Sequence, residues 1–129
     1  MDMSVTLGEG KKVSAEFKGF TIHTDQPVPA GGENSAPSPF DYFLFSLGTC
    51  AGFFVLSFCR ERSIPTDDIR LEADFVRDQA THLVSKVSIR ILLPKNFPDK
   101  YRVAVVKAAE QCTVKRHLDH PPQVEVSAV

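Results

Sequence analysis

Three cysteines are the residues of this sequence best suited to chemistry, and two of them lie in one apolar stretch, LGTCAGFFVLSFC, residues 47–59. The third, Cys112, follows much later in AEQCTVKRHL. Cysteine thiols can fill a core, form disulfides, bind metals or act as redox nucleophiles. The odd count, and an N-terminus without an apolar run, predict a cytoplasmic protein, in which a thiol pair is more often redox-active than structural.

The surroundings of the three thiols differ. Cys59 follows Cys50 by about two and a half turns of helix, so the two side chains point in opposite directions and cannot form a disulfide within it. Cys59 is therefore predicted to be a core residue. Cys112 precedes the basic run KRH and starts a possible short helix, so we expect a lowered pKa there. The apolar neighbourhood of Cys50 predicts a raised pKa, unless another segment brings a cation or a second thiol to it.

A metal site was the other chemistry to consider. Cys112, His117 and His120 are close in sequence, but structural zinc sites normally pair cysteines two to four residues apart. We therefore predict neither a metal nor another cofactor. The near-balance of 15 basic and 16 acidic residues, without a basic stripe, argues against nucleic acid as a partner.

The elements that must position these thiols are predicted from hydrophobic periodicity. Alternation of apolar and polar residues predicts strands at 3–7, 13–17, 20–22, 69–77 and 86–93, the last two joined by a turn at DQAT. After a proline-rich loop, Ser38 as N-cap, Pro39 at the first position and Asp41 three residues after the cap predict the start of a helix that runs to about Arg62.

The remainder predicts helices over 96–111 and 113–119 and a last short strand at 124–126. The chain is predicted to be a single domain, 1–129, of the α+β class with mainly antiparallel sheet.

The long apolar helix bears on whether the protein spans a membrane or forms an oligomer. Residues 42–59 carry no charge, and such a length would suffice for a membrane span. Because serine, glycine and threonine interrupt the run and amphipathic strands flank it, no membrane association is predicted. A helix that is apolar all round must be covered all round, which one short chain cannot do. With Gly48 and Gly52 available for close approach of another backbone, we expect an intimate homodimer with this helix near its centre.

The segments APSPFDYFLFSLGTCAG and AAEQCTVKRHL resemble the OsmC/Ohr family of osmotically induced and organic hydroperoxide resistance proteins, from about residue 19 to the end. The resemblance rests on a Pro-x-Pro helix start with a cysteine eleven residues on and a second cysteine some sixty residues later. It implies an OsmC-like fold with a long central apolar helix, an intertwined homodimer and a two-cysteine site at the dimer interface.

The resemblance also implies the role of each thiol. Cys50 is similar to a peroxidatic cysteine, whose thiolate attacks the peroxide and becomes a sulfenic acid. Cys112 is similar to the resolving cysteine, and an external dithiol would reduce the resulting disulfide. The implied substrates are organic hydroperoxides, which suits a pocket lined by Phe43, Phe53 and Phe54.

The sequence departs from the family pattern in two places. Peroxidases of the family use an N-terminal arginine held by a glutamate of the helix, whereas this chain has no arginine before Arg60 and has Phe40 where the glutamate usually falls. Asp41, one residue later, is expected to cap the helix, with a supporting role in the site as the lesser alternative. The alternative function is a non-catalytic OsmC-like dimeric module that binds a small apolar or thiol ligand in the same pocket.

Overall fold

The computed structural model describes residues 2–129. The chain divides into two compact units, one ending at Phe45 and the other comprising Ser46–Val129, and the boundary falls inside the longest helix. Helices are combined with antiparallel sheets, which confirms the predicted α+β class. The single domain over 1–129 stays a prediction.

The first unit contains a three-stranded antiparallel meander in the order β1 (Ser4–Leu7), β2 (Val13–Phe17), β3 (Phe20–Thr24). Lys18 and Gly19 join β2 to β3 with φ of 54° and 81°, and such positive angles are what a two-residue hairpin loop requires. The three predicted strands are thus confirmed, with β3 two residues longer than expected.

One face of this sheet is apolar and lies open. Val5 lies opposite Ala15, which lies opposite Ile22 on the third strand. Because side chains alternate along a strand, these residues share a face. Val5 and Leu7 on that face are 58% and 82% exposed, so this part of the face is open among the described residues.

A buried carboxylate organises the loop that follows β3. Asp25 is 1% exposed and accepts hydrogen bonds from the N–H groups of Gln26, Glu33 and Ser35 at 2.8, 3.2 and 3.1 Å. The Ser35 hydroxyl donates to the same carboxylate at 2.6 Å. These bonds, that of the hydroxyl foremost, lower the pKa of Asp25 to about 2. Gly32 comes so close that an added Cβ would lie 2.0 Å from the Gln26 carbonyl oxygen.

Helix α1 (Pro39–Glu61) begins as the sequence predicts. The Ser38 hydroxyl accepts from the Asp41 N–H at 3.2 Å, and the Asp41 carboxylate accepts from the Ser38 N–H at 2.9 Å. This reciprocal pair is a capping box, and it confirms the predicted helix start. The helix ends one residue earlier than expected, before Ser63 turns the chain with a φ of 54°.

The second unit packs the C-terminal half of α1 against a hairpin and two short helices. The hairpin pairs β4 (Arg70–Arg77) with β5 (Val84–Leu92), and α2 (Arg102–Glu110) and α3 (Thr113–Asp119) follow. Five buried residues form the core of this unit: Val55, Phe58, Cys59, Phe97 and Val105. Phe58 and Cys59 follow Val55 on α1 by three and four residues, about one turn, so the three side chains share one face of the helix.

Two predictions near the C-terminus need correction. The helix predicted over 96–111 starts later, because a single 3-10 turn at Asp99–Tyr101 follows Pro98 and only then does α2 begin. The strand predicted at 124–126 is wrong. Residues 121–129 have no regular secondary structure, Val124 is 80% exposed, and within residues 2–129 no strand pairs with them. A strand without a partner leaves its ladder hydrogen bonds unmade.

Helix α1 is also long and apolar enough to span a membrane by length and composition, with a mean hydropathy of 1.8. Because core helices of soluble proteins pass the same test, this is weak evidence for a membrane. Within the described residues 28% of the apolar window is buried, and Phe45 and Phe53 of this helix are more than half exposed.

Replacing Ser35 by alanine should raise the pKa of Asp25 and lower the unfolding temperature. A carboxyl whose folded pKa lies below its unfolded value of about 3.9 stabilises the fold above that value. This contribution is lost as the pH falls through about 2. Thermal unfolding followed by circular dichroism should therefore separate Ser35→Ala from the parent protein at about pH 5, with the difference shrinking toward acid. Ser127→Ala is the control, and equal unfolding temperatures of all three proteins at about pH 5 would contradict the assignment.

Candidate functional site

Helix α1 carries Cys50 at the border between its buried and its exposed sides. Leu47 and Ala51 beside it are 6% and 3% exposed, whereas Phe53, three residues on, is 59% exposed. Cys50 itself is half-buried. The thiol is therefore fixed by the packed side of the helix and can still be reached from solvent.

Cys112 lies at the junction of α2 and α3. Its N–H donates to the Ala109 carbonyl at 3.2 Å, which ends α2, and its backbone forms the N-cap of α3. Its sulfur accepts from the Lys115 N–H at 3.5 Å. The side chain is 2% exposed, so this thiol is a buried helix cap.

The start of α3 brings the two thiols together. Cys50 is a neighbour of the Cys112 thiol and of Thr113 and Val114, the first two residues of α3. The first helical bond of α3 runs from the Arg116 N–H to the Cys112 carbonyl at 3.0 Å. The N–H groups that precede it have no partner inside the helix, and that of Lys115 donates to the Cys112 sulfur.

These contacts set the pKa of each thiol. Burial acts to raise the pKa of Cys50, but the hydrogen bonds from Val114, Cys112 and Thr113 outweigh it, and the pKa lies below its ordinary value. Burial raises the pKa of Cys112, and the neighbouring Cys50 raises it further by its hydrogen bond and charge. At neutral pH, Cys50 is the thiol that more readily carries the negative charge.

The sequence predicted a lower pKa for Cys112 than for Cys50, and the structure reverses this order. The helix start and the basic run at 115–117 suggested the lower pKa for Cys112. The N–H groups of Val114 and Thr113 instead act to lower the pKa of Cys50, whereas at Cys112 burial and the neighbouring Cys50 outweigh the lowering effect of the Lys115 and Val114 N–H groups. The charge of Lys115 is engaged by Asp119, 3.4 Å away. The missed signal was that a helix start can stabilise a thiolate from another segment as well as its own cap residue.

Cys59 is not part of this site. It is fully buried in the core of the second unit, which confirms the prediction. Burial raises its pKa, against an opposing effect of the Arg62 charge. A thiol without solvent access and with a raised pKa is unreactive.

The other predicted site residues lie at separate places. Phe53 and Phe54 follow Cys50 on α1 with their rings edge to face, 5.4 Å between centroids. Phe43 belongs to the first unit and stacks on Phe40 at 5.5 Å. Asp41 is the capping residue described above. Their roles as pocket and supporting residues remain expectations.

Other features of the second unit lie away from the two thiols. A cavity of about 400 Å³ is lined by residues of two segments, 62–68 and 94–101. No predicted site residue lines it. Among residues 2–129, no group of three or more histidine, cysteine or acidic side chains is arranged to hold a metal ion.

Residues 32–127 match the family of OsmC-like proteins. No curated protein matches the chain. A solved structure from Psychrobacter arcticus 273-4, provisionally named an osmotic stress induced and detoxification response protein, is 27% identical, with 88% of this chain and 85% of that one covered and a TM-score of 0.75.

Two further structures share the fold at lower identity. An OsmC-like protein from Mycoplasma pneumoniae is 13% identical over 93% of this chain and 87% of its own, with a TM-score of 0.71. An organic hydroperoxide resistance protein OsmC from Legionella pneumophila is 16% identical over 92% and 89%, with a TM-score of 0.58.

Alkylation should distinguish the three thiols. Only the thiolate reacts with iodoacetamide, so Cys50, with its lowered pKa, should be modified first in the reduced, folded protein. Peptide mass spectrometry over time measures the order. After unfolding in guanidinium all three thiols should react alike, which is the control. Faster modification of Cys112 or Cys59 in the folded protein would contradict the assignment.

Proposed function

Since the chain belongs to the family of OsmC-like proteins, of which it is a divergent member, we propose that it is a thiol-dependent peroxidase that reduces organic hydroperoxides through Cys50 and Cys112. The observation that carries the proposal is that these two thiols are neighbours and that the accessible one has the lowered pKa. A nucleophile with a neighbouring thiol to capture its oxidised form is the arrangement that peroxide reduction needs.

The first step takes place at Cys50. Its thiolate attacks one oxygen of the hydroperoxide, the O–O bond breaks, and the sulfur is oxidised to a sulfenic acid. The leaving alkoxide takes a proton from water and departs as the alcohol. A thiolate rather than a thiol is required, and this is the form that the start of α3 favours.

The second step uses Cys112. Its sulfur displaces the hydroxyl of the sulfenic acid, forming a disulfide and releasing water. An external dithiol then reduces the disulfide by thiol–disulfide exchange and is itself oxidised. Because Cys112 is buried and its pKa is raised, it does not compete with Cys50 for peroxide. We infer that this cycle runs in the reducing cytoplasm, where Cys112 is kept as a thiol.

An apolar peroxide fits the surroundings of Cys50 better than hydrogen peroxide does. Phe53 and Phe54 lie within about one turn of Cys50 on α1, and Phe53 is largely exposed. Open aromatic rings bind an organic group by removing its apolar surface from water. The Legionella pneumophila protein of the same fold is named for organic hydroperoxide resistance, which agrees with this choice of substrate.

Replacing each cysteine in turn by serine tests the proposed cycle. One equivalent of cumene hydroperoxide should give a Cys50–Cys112 disulfide in the parent protein and in Cys59→Ser. Cys112→Ser should instead accumulate a sulfenic acid on Cys50 that dimedone traps, and Cys50→Ser should not react. Peptide mass spectrometry identifies each product. If both thiols of the parent protein stay reduced over minutes, the cycle is disproved, and a dimeric module that binds a small apolar or thiol ligand becomes the better account.

We also infer that the protein is an intertwined homodimer, because its apolar surface exceeds what one chain covers. On α1, Phe53 and Leu56 are 59% and 39% exposed beside Gly48 and Gly52, which have open space around them. The apolar face of the first sheet is open as well. Monomeric proteins rarely expose apolar patches of this extent, and a second copy of the chain would bury them.

Light scattering should give a mass of about twice the 14.3 kDa of one chain at micromolar concentration. Leu56→Glu places a charge on the open side of α1 and should shift the protein to monomers, because a charge buried at an interface without a partner is unfavourable. Val106→Glu is the matched control, since Val106 is a similarly exposed residue (45%) of α2. A monomeric parent protein, or a dimer indifferent to Leu56→Glu, would disprove the inference.

A further inference from the structure

The cavity of about 400 Å³ in the second unit is a second place where a small molecule could bind, and neither thiol of the proposed site lines it. One wall is the segment 62–68, which leads from α1 to β4, and the other is the segment 94–101, which leads from β5 to α2. Its volume falls in the range of small-molecule sites, roughly 300–1,000 Å³. The proposed peroxide chemistry makes no use of this space.

Charged side chains of both signs line the cavity. Arg62 and Lys100 supply two positive charges. Asp67 and Asp68 supply two negative ones, so the formal charges of the lining cancel. Within residues 2–129, neither aspartate forms an ion pair, and the same holds for Lys100. A ligand with one positive and one negative group would give these charges partners without adding a net charge to the cavity.

Arg62 is the best-fixed charge of the four. Its guanidinium carbon lies 3.7 Å from the centroid of the Phe58 ring, and its Nη1 donates to the Phe58 carbonyl at 3.0 Å. The Glu61 carboxylate is 3.7 Å from the same nitrogen, too far for a direct hydrogen bond. Because Phe58 belongs to the core, the guanidinium loses little freedom when a ligand binds. A guanidinium has five N–H donors and can bind a carboxylate through two parallel hydrogen bonds.

Much of the remaining lining is apolar and rigid. Ile64 and Pro65 belong to one wall, and Pro94 and Pro98 belong to the other. A proline ring fixes its own backbone angle, so these surfaces change little when a ligand enters. An apolar group between them would be removed from water, which favours binding.

We propose that this cavity binds a free α-amino acid with an apolar side chain. Arg62 and Lys100 bind its carboxylate, and the aspartates 67 and 68 bind its ammonium group. Its side chain lies against the prolines of the two walls. A zwitterion is favoured over a simple acid or amine, because a ligand with one charge leaves the charges of the opposite sign without a partner. This inference does not rest on the proposed peroxidase function.

The two charges of the ligand can be tested one at a time on the parent protein. L-Leucine and L-phenylalanine are titrated to millimolar concentration while amide proton–nitrogen correlation NMR is recorded at neutral pH. Both should shift signals of the segments 62–68 and 94–101. Isocaproate, which is leucine without its amino group, and isopentylamine, which is leucine without its carboxylate, should bind roughly tenfold more weakly. Absence of shifts in both segments with both amino acids, or equal binding of the two leucine analogues, would overturn the proposal.

Variants test the residues on each wall. Lys100→Gln and the double change Asp67→Asn with Asp68→Asn should each weaken leucine binding at least about threefold, since exposed charge pairs are partly screened by water. Lys95→Gln and Glu110→Gln remove exposed charges that do not line the cavity and are the matched controls. Circular dichroism checks that each variant is folded. Variants of the lining that bind leucine as tightly as these controls would contradict the assigned contacts.

One further protein separates this inference from the proposed function. Cys50→Ser lacks the thiol proposed to attack peroxide and should bind leucine as the parent protein does. If the parent protein consumes no cumene hydroperoxide but binds leucine in this way, the amino-acid site stands and the peroxidase function is wrong. If it reduces the peroxide and leucine causes no shifts, the function stands and the amino-acid site is wrong.

Discussion

The unpaired N–H groups at the start of α3 are the constraint on which the site depends. A helix must begin with backbone donors that no carbonyl of the same helix can reach. In this protein the N–H of Cys112 closes α2 on Ala109, that of Lys115 donates to the Cys112 sulfur, and those of Val114 and Thr113 act to lower the pKa of Cys50. One short turn of backbone therefore fixes both thiols and makes them unequal. Cys50 has solvent access and the lowered pKa, whereas Cys112 is buried and has the raised pKa.

Helix α1 has to meet two demands that conflict within one chain. Its packed side, with Val55, Phe58 and Cys59 in the core, fixes the position and orientation of Cys50. Its other side is apolar, which favours burial, but it must also leave the Cys50 thiol accessible to a substrate. A monomer would expose that side to water at a cost in free energy. The proposed homodimer would resolve the conflict, because a second copy would cover the apolar surface and could leave Phe53 and Phe54 open to an organic substrate.

Local signals in the sequence were enough for most of the fold. The capping box at Ser38 and Asp41, the alternation in the strands and the turn chemistry of Lys18–Gly19 each act within a few residues, so the sequence shows them directly. The strand at 124–126 failed because pairing depends on a neighbour that the pattern VEV does not specify. The late start of α2 is a boundary effect after Pro98, of the kind that periodicity resolves poorly.

The site was harder to predict, since its chemistry depends on contacts between distant segments. Cys50 was identified through the family resemblance, and its own neighbours predicted an inert thiol. The structure brings it to residues more than sixty positions later in the chain, and this contact reverses the order of the two pKa values. Cys59, whose environment is local to the core helix, was predicted correctly.

The most direct measurement is a single-turnover count of peroxide and thiols. Fully reduced protein is mixed with an excess of cumene hydroperoxide without a reductant, and the lost peroxide and the remaining thiols are titrated. A two-thiol cycle predicts that each chain consumes one peroxide and loses two of its three thiols, with Cys59 remaining. Peroxide that persists beside three intact thiols would show that Cys50 and Cys112 do not form a peroxidase site.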